Sequence, residues 1–192
     1  MVLNELKEKC LECRDCKLCE TRTNVVFGEV NPNARLMFIG EGPGETEDQT
    51  GRPFVGRAGQ LLEKMILAIG LTRDEVYIAN MVKCRPPKNR DPEQDETETC
   101  IQYLREQVKL IDPEFIVCLG RISACRLIDP NFRVTKQHGQ WVSKGKIRFM
   151  GTFHPSALLR NPNQKPEAFA DFVTLRDKIL EICPNTELVF ED

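Results

Sequence analysis

Short apolar runs and amphipathic stretches alternate along most of this chain, and the period of each predicts an element. Leu36 to Ile39 and Val76 to Ala79 are brief and apolar, as core strands are, and the second ends at Asn80. Phe115 to Leu119 is apolar without a break, which is how a strand covered on both faces reads. Between these runs the period lengthens. Ala58 to Ile69 puts Leu61, Leu62, Met65, Ile66 and Ile69 on one face of a helix that Gly70 ends, and Glu93 to Ile111 forms another, with Pro92 at its start and Pro113 beyond it. A short helix follows from Gly120 to Leu127, a hairpin from His138 to Phe153 turns about Lys144-Gly145, and a last helix runs from Glu167 to Ile182. Leu3 to Leu18 has roughly helical spacing, Thr23 to Glu29 reads as extended, and 185–192 reads as a tail. Strands alternating with helices predict an α/β fold, one domain over 1–192 with the segment 1–22 packed on it. In such sheets ligands bind beyond the carboxyl ends of the strands, which here means Glu41 to Gly44, Asn80, Gly120-Arg121 and His154.

The stretch from Gly40 to Gly59 joins the first strand to the first long helix. Its glycines at 40, 42, 44 and 51 and prolines at 43 and 53 predict an irregular loop, crowded with Glu41, Glu45, Glu47 and Asp48. A phosphate cradle does not fit it. Glu45 replaces the third glycine of a G-x-G-x-x-G pattern, Pro43 deletes a donor, and four carboxylates repel a pyrophosphate. The loop offers close backbone approach at Gly42 and Gly44, ionisable oxygens and one aromatic ring, Phe54, which suit a flat neutral ligand. The plainer alternative is a solvated acidic loop with Phe54 in the core.

Composition narrows the class. The chain has 192 residues, of which 41% are hydrophobic and 29% charged, with a net charge of −2, so any contact with nucleic acid must come from local patches. Lys83, Arg85, Lys88 and Arg90 make one such patch, and Lys136, Lys144, Lys146, Arg148 and Arg160 a second. The N-terminus lacks the apolar core of a signal peptide and no run is long enough for a membrane span, which points to the cytosol and no membrane. Nine cysteines there argue against a disulfide framework. Cys10, Cys13, Cys16 and Cys19 recur every third residue, Cys84 and Cys100 form a separated pair, and Cys118, Cys125 and Cys183 sit in apolar patterns. The C-x2-C steps point to a metal centre, iron-sulfur rather than zinc because Cys84 and Cys100 form no second knuckle. Either the N-terminal run of four or Cys13 and Cys16 with Cys84 and Cys100 supplies the ligands.

GEGPGETEDQTGRPFVG, IANMVKCRPP and HPSALLRNP follow one another in order, and with them the chain resembles a family 4 uracil-DNA glycosylase, the iron-sulfur type of the uracil-DNA glycosylase superfamily. The resemblance runs from about Cys13 to Arg160. It implies a three-layer α/β/α sandwich with a central four-stranded parallel sheet, and a 4Fe-4S cluster on Cys13, Cys16, Cys84 and Cys100, structural in role. It implies that uracil-containing DNA is the substrate and that free uracil leaves an abasic site, with no metal in the chemistry. Phe54 would stack on the flipped base, Asn80 would read it, and Glu41, Gly42 and Pro43 would contact it. His154 would stabilise the departing uracil anion, and Glu41 or Glu47 would orient the water. Lys83, Arg85, Lys88, Asn89 and Arg90 would grip phosphates. Ser156, Leu158, Leu159 and Arg160 would enter the DNA, with Leu158 or Leu159 as an apolar wedge.

A nucleoid-associated monomer of bacterial or archaeal type, excising uracil without covalent trapping of DNA, is the expectation. Two other readings compete with it: a nuclease holding Mg²⁺ on Glu41, Glu47 and Asp48, and a non-catalytic iron-sulfur protein that binds DNA or senses redox state. His138 and Trp141 carry no motif and read as packing or surface residues.

Overall fold

Each apolar run becomes an inner strand of one sheet in the computed structural model, which describes residues 2–190. The strands are β1 (Glu29–Val30), β2 (Leu36–Gly40), β3 (Tyr77–Asn80), β4 (Phe115–Leu119), β5 (Trp141–Lys144) and β6 (Ile147–Thr152), in the order β1-β3-β2-β4-β6-β5. The expected parallel sheet is its centre: β3, β2, β4 and β6 all pair parallel. The sheet has six strands rather than four, because β1 and β5 add antiparallel edges.

A period of two splits each run between two cores. Leu36, Phe38, Ile78, Phe115, Val117 and Met150 face one side, and Met37, Ile39, Tyr77, Ile116, Cys118 and Phe149 the other. The helices α3 (Arg57–Leu67), α7 (Pro155–Arg160) and α8 (Lys165–Ile182) cover the first side through Leu62, Leu158 and Phe172. The second side is covered by α4 (Gln94–Ile111) and α5 (Arg121–Leu127), through Ile101, Leu104 and Ala124. This makes three layers. Helix α1 (Leu3–Leu11) packs against α4, and between them lies a third cluster of Leu6, Cys10, Leu18, Phe27 and Tyr103.

The acidic loop is not irregular throughout. Residues Glu45–Thr50 form a short helix, α2, whose first turn holds Glu45, Glu47 and Asp48. Acids are favourable at the positive end of a helix, and Gly51 at φ 72° stops it one turn later. A four-residue helix, α6 (Val134–Gln137), precedes the hairpin. His138, at its end, pairs through Nδ1 with Asp171 of α8 at 2.9 Å, and Asp171 also accepts the Thr152 hydroxyl at 2.5 Å. That network ties α8 to the end of β6. Of the expected tail, Val189 donates to the Gly70 carbonyl at 2.8 Å, and residues 191 and 192 lie outside the described residues. Among the described residues no helix is long and apolar enough to cross a membrane.

Candidate active site

The strand order reverses at β2: the chain moves from β2 to β3 on one side and then back to β4 on the other. At the carboxyl ends beside this point lies a cleft of about 410 Å³, lined by Glu41, Gly42, Pro43, Phe54, Asn80 and His154 among others. The chain after β2, the end of β3 and the second residue after β6 thus meet as the strand-end argument expects, whereas Gly120 and Arg121 after β4 do not line the cleft. Beyond the strand ends the pairing continues, with Met81 donating to Gly40 O at 3.0 Å and Val82 to Glu41 O at 3.1 Å.

Asn80 is 1% exposed, and its Oδ1 is buried with no hydrogen-bond partner among the described residues. A buried amide acceptor without a donor costs on the order of 1–3 kcal/mol. Phe54 stands beside it. Its backbone is in the left-handed region at φ 50°, and Arg73 holds it there by donating to the carbonyls of Phe54 at 3.0 Å and Pro53 at 2.5 Å. Gly59 lets the backbone at Phe54 come close: a Cβ at 59 would lie 2.0 Å from the Phe54 carbonyl. The Phe54 and His154 rings are 5.7 Å apart and tilted by 34°.

His154 precedes Pro155, the first residue of α7, and its Nδ1 accepts the Ser156 N–H at 3.1 Å. That bond leaves the ring proton on Nε2. Burial, with Arg160 nearby, pushes the imidazole pKa down to about 4, so the ring is neutral.

The acids do different work. Glu41 lines the cleft, and burial together with the Asp91 carboxylate raises its pKa to about 7, against the pull of Arg121 and Arg160. Asp91 in turn pairs with Arg121 at 2.8 Å. Glu47 accepts the Val55 and Gly56 N–H groups at 2.9 and 2.7 Å, which pins the loop around Phe54. Asp48 is buried and accepts the Thr23 N–H at 2.9 Å and the Asn24 N–H at 3.3 Å. The magnesium reading fails on this point. Among the described residues Glu41, Glu47 and Asp48 form no group that could hold a metal ion.

Two expected DNA contacts are corrected. Lys83 is 1% exposed, with Nζ on Asn80 O at 3.0 Å and Gln107 Oε1 at 2.6 Å, so it cannot reach a phosphate. Leu158 is fully buried in the core under α7 and cannot act as a wedge, whereas Leu159 is partly exposed. Asn89, Arg90, Ser156 and Arg160 line the cleft, and Lys88 is exposed beside it. Arg90 is also clamped in two bonds to Glu96, and Arg85 donates to Asn89 at 2.8 Å.

The cysteines expected as ligands come together. Cys13, Cys16, Cys84 and Cys100 line one small hollow, and Cys10, Cys19, Arg22 and Lys83 line it equally. Arg22 donates to Cys84 Sγ at 3.1 Å and the Lys83 N–H to Cys100 Sγ at 3.3 Å. Two N–H donors on sulfur and a buried ammonium suit thiolates, and the donor set fits an anionic thiolate-ligated group. Burial pushes the free thiols of Cys10 and Cys100 up to about 12, a cost that a bound cation would reverse.

The family model for the uracil DNA glycosylase superfamily matches residues 27–175, more than half of the chain. The chain belongs to the uracil-DNA glycosylase superfamily. It is 48% identical over 191 residues to a type-4 uracil-DNA glycosylase of Sulfurisphaera tokodaii, covering 95% of this chain and 86% of that one. Identity to the type-4 enzyme of Archaeoglobus fulgidus is 42%, over 94% and 93% of the two chains, and to that of Thermotoga maritima 46%, over 81% and 82%. Within this uracil-DNA glycosylase superfamily member the cleft also holds Thr46 and Gly56, which lie in the first motif but were given no role, and Arg57, which lies just outside it. Arg57 opens α3 directly after the loop, so its place at the start of that helix was the available signal.

Proposed function

We propose that the cleft takes up a uracil flipped out of DNA and hydrolyses its N-glycosidic bond, releasing free uracil and leaving an abasic site. The observation that carries this reading is the buried, unpartnered Asn80 Oδ1 beside the Phe54 ring. Uracil brings an N3–H for that oxygen and an adjacent O4 for the amide N–H, whereas cytosine would set its own amino donor against the amide. Phe54, fixed by Arg73, stacks on the base. The Nε2–H of neutral His154 donates to O2 as negative charge builds there, and the ring needs no net charge to do so.

The leaving base draws electrons from the sugar, so the Glu41 carboxylate both stabilises the developing cation and orients the attacking water. Glu47 is already committed to two backbone donors and serves to hold the loop. The reaction we infer is monofunctional and forms no Schiff base. Arg57, Lys88 and Arg160 put positive charge around the mouth, where phosphates would pass.

Cys13, Cys16, Cys84 and Cys100 would hold a 4Fe-4S cluster that knots the N-terminal segment to the loop after β3. Its contribution when bound is structural. The enzyme would act in the cytosol, on chromosomal DNA.

The test is base release from an oligonucleotide carrying one uracil, in EDTA, with abasic sites scored by alkaline cleavage. Wild type should release uracil, and Asn80→Ala and His154→Ala should not. Tight DNA binding without release by wild-type protein would sink the catalytic reading in favour of a binding or sensing protein.

A further inference from the structure

Lys83 is a buried ammonium whose bonds go to neutral oxygens. Its Nζ donates to Asn80 O at 3.0 Å and to Gln107 Oε1 at 2.6 Å, and it stands 6.0 Å from the centre of the Phe27 ring. Gln107 is itself held by donating to Phe27 O at 2.8 Å and Tyr77 Oη at 2.9 Å. Among the described residues no carboxylate pairs with this charge, and a buried ion without a counter-charge is costly. The groups within reach that can take the opposite sign are the cysteines, once they are bound as thiolates. Lys83 lines the hollow of Cys13, Cys16, Cys84 and Cys100, and its own N–H donates to Cys100 Sγ at 3.3 Å.

One residue therefore touches both centres of the molecule. Through its ammonium it grips the backbone of the residue whose side chain faces the base, and through its position it supplies positive charge to the cysteines. We propose that Lys83 is a positioning residue that joins the cysteine centre to the base-reading amide, setting Asn80 and serving as buried counter-ion to the thiolates. This rests on the function proposed above, in both the role of Asn80 and the thiolate-bound cluster.

The experiment compares wild type, Lys83→Met and Gln107→Leu in iron and sulfide content, reduction potential, affinity for free uracil and melting temperature. Wild type is characterised first; if it purifies without iron under anaerobic conditions, the cluster reading itself falls and the coupling falls with it. With the cluster present, Lys83→Met should lower the reduction potential, because a positive charge that favours the reduced centre is gone. It should also weaken uracil binding by about tenfold, the scale of a lost hydrogen bond from a charged donor. Gln107→Leu keeps the charge and removes one anchor, so it should weaken uracil binding while leaving the potential at the wild-type value. A Lys83→Met protein with wild-type potential and wild-type uracil affinity would overturn the proposal, whatever its melting temperature. If Lys83→Met assembles no cluster, Lys83→Arg decides: restored iron supports the counter-ion role, and no iron beside a normal Gln107→Leu protein overturns it.

Discussion

Gly40 ends β2 between the two groups that would hold the base, and a single methyl there should disable the site. A Cβ at this position would lie 2.5 Å from Asn80 Oδ1 and 2.5 Å from Phe54 Cζ. Ordinary contact begins at 3.4 Å, so each group would have to retreat by 3.4 − 2.5 = 0.9 Å. Neither has room. Arg73 and the close approach of Gly59 fix Phe54, while Lys83 and the β2 ladder fix Asn80. Gly40 is not among the residues with positive φ, so alanine brings no backbone strain and lowers unfolded-chain entropy by about 0.4–1 kcal/mol. Overpacking costs about 1–3 kcal/mol, which leaves a net loss of no more than about 2.6 kcal/mol. At roughly 2–4 °C per kcal/mol, the melting temperature of Gly40→Ala should fall by no more than about 10 °C. Catalysis should suffer far more, since a misplacement near 1 Å costs on the order of 10²-fold. Single-turnover uracil release at 25 °C, with melting followed in parallel, measures both. Wild-type release by a folded Gly40→Ala protein would refute the claim that Phe54 and Asn80 work at this spacing.

Four further outcomes follow from the same geometry. Uracil release should rise with pH through about 7, as Glu41 loses its proton, with no limb from His154 above its pKa of about 4, and Glu41→Gln should flatten the profile. The folded pKa of Glu41 lies above the 4.5 of the free group, so its contribution to stability is full below about 4.5 and lost as pH rises through about 7. Melting should accordingly show Glu41→Gln gaining on wild type between pH 5 and pH 8, and no relative gain would contradict this. Asp48→Ala should cost about 2 kcal/mol in urea unfolding by stranding the Thr23 and Asn24 N–H groups. Leu158→Ala should cost about 2–5 kcal/mol as a core cavity, and unchanged stability with lost DNA binding would restore the wedge.

The inner strands were legible because a strand buried on both faces needs an unbroken apolar run, and few other elements do. The edges carried less: β5 is mostly exposed and was legible only as the first arm of the hairpin about Lys144-Gly145, and β1 is two half-buried residues with no hydrophobic signal. Strand order is also invisible to periodicity, which reports faces and not neighbours. In the site, Asn80, Phe54 and His154 were legible because they sit at or just beyond strand ends or inside the long loop that follows one. Lys83 was misread because its charge is local but its partner Gln107 lies 24 residues on. Leu158 and Leu159 are adjacent and chemically identical, and only the packing of α7 says which one faces inward. The glycines and prolines between 40 and 53 predicted an irregular loop, yet the acids at 45, 47 and 48 within it are what a helix N-terminus favours.

The sheet pairing has a consequence for synthesis. β2 bonds to β3 and β4, and β4 to β6, so the cleft closes only after residues from 36 to 154 have left the ribosome. The thiols wait as well. Cys100 emerges 100 − 16 = 84 residues after Cys16, which at 5–20 residues per second leaves the N-terminal cysteines unshielded for about 4–17 s. For that interval they are accessible reduced thiols on a nascent chain, and an oxidant pulse should harm this protein most while it is being made.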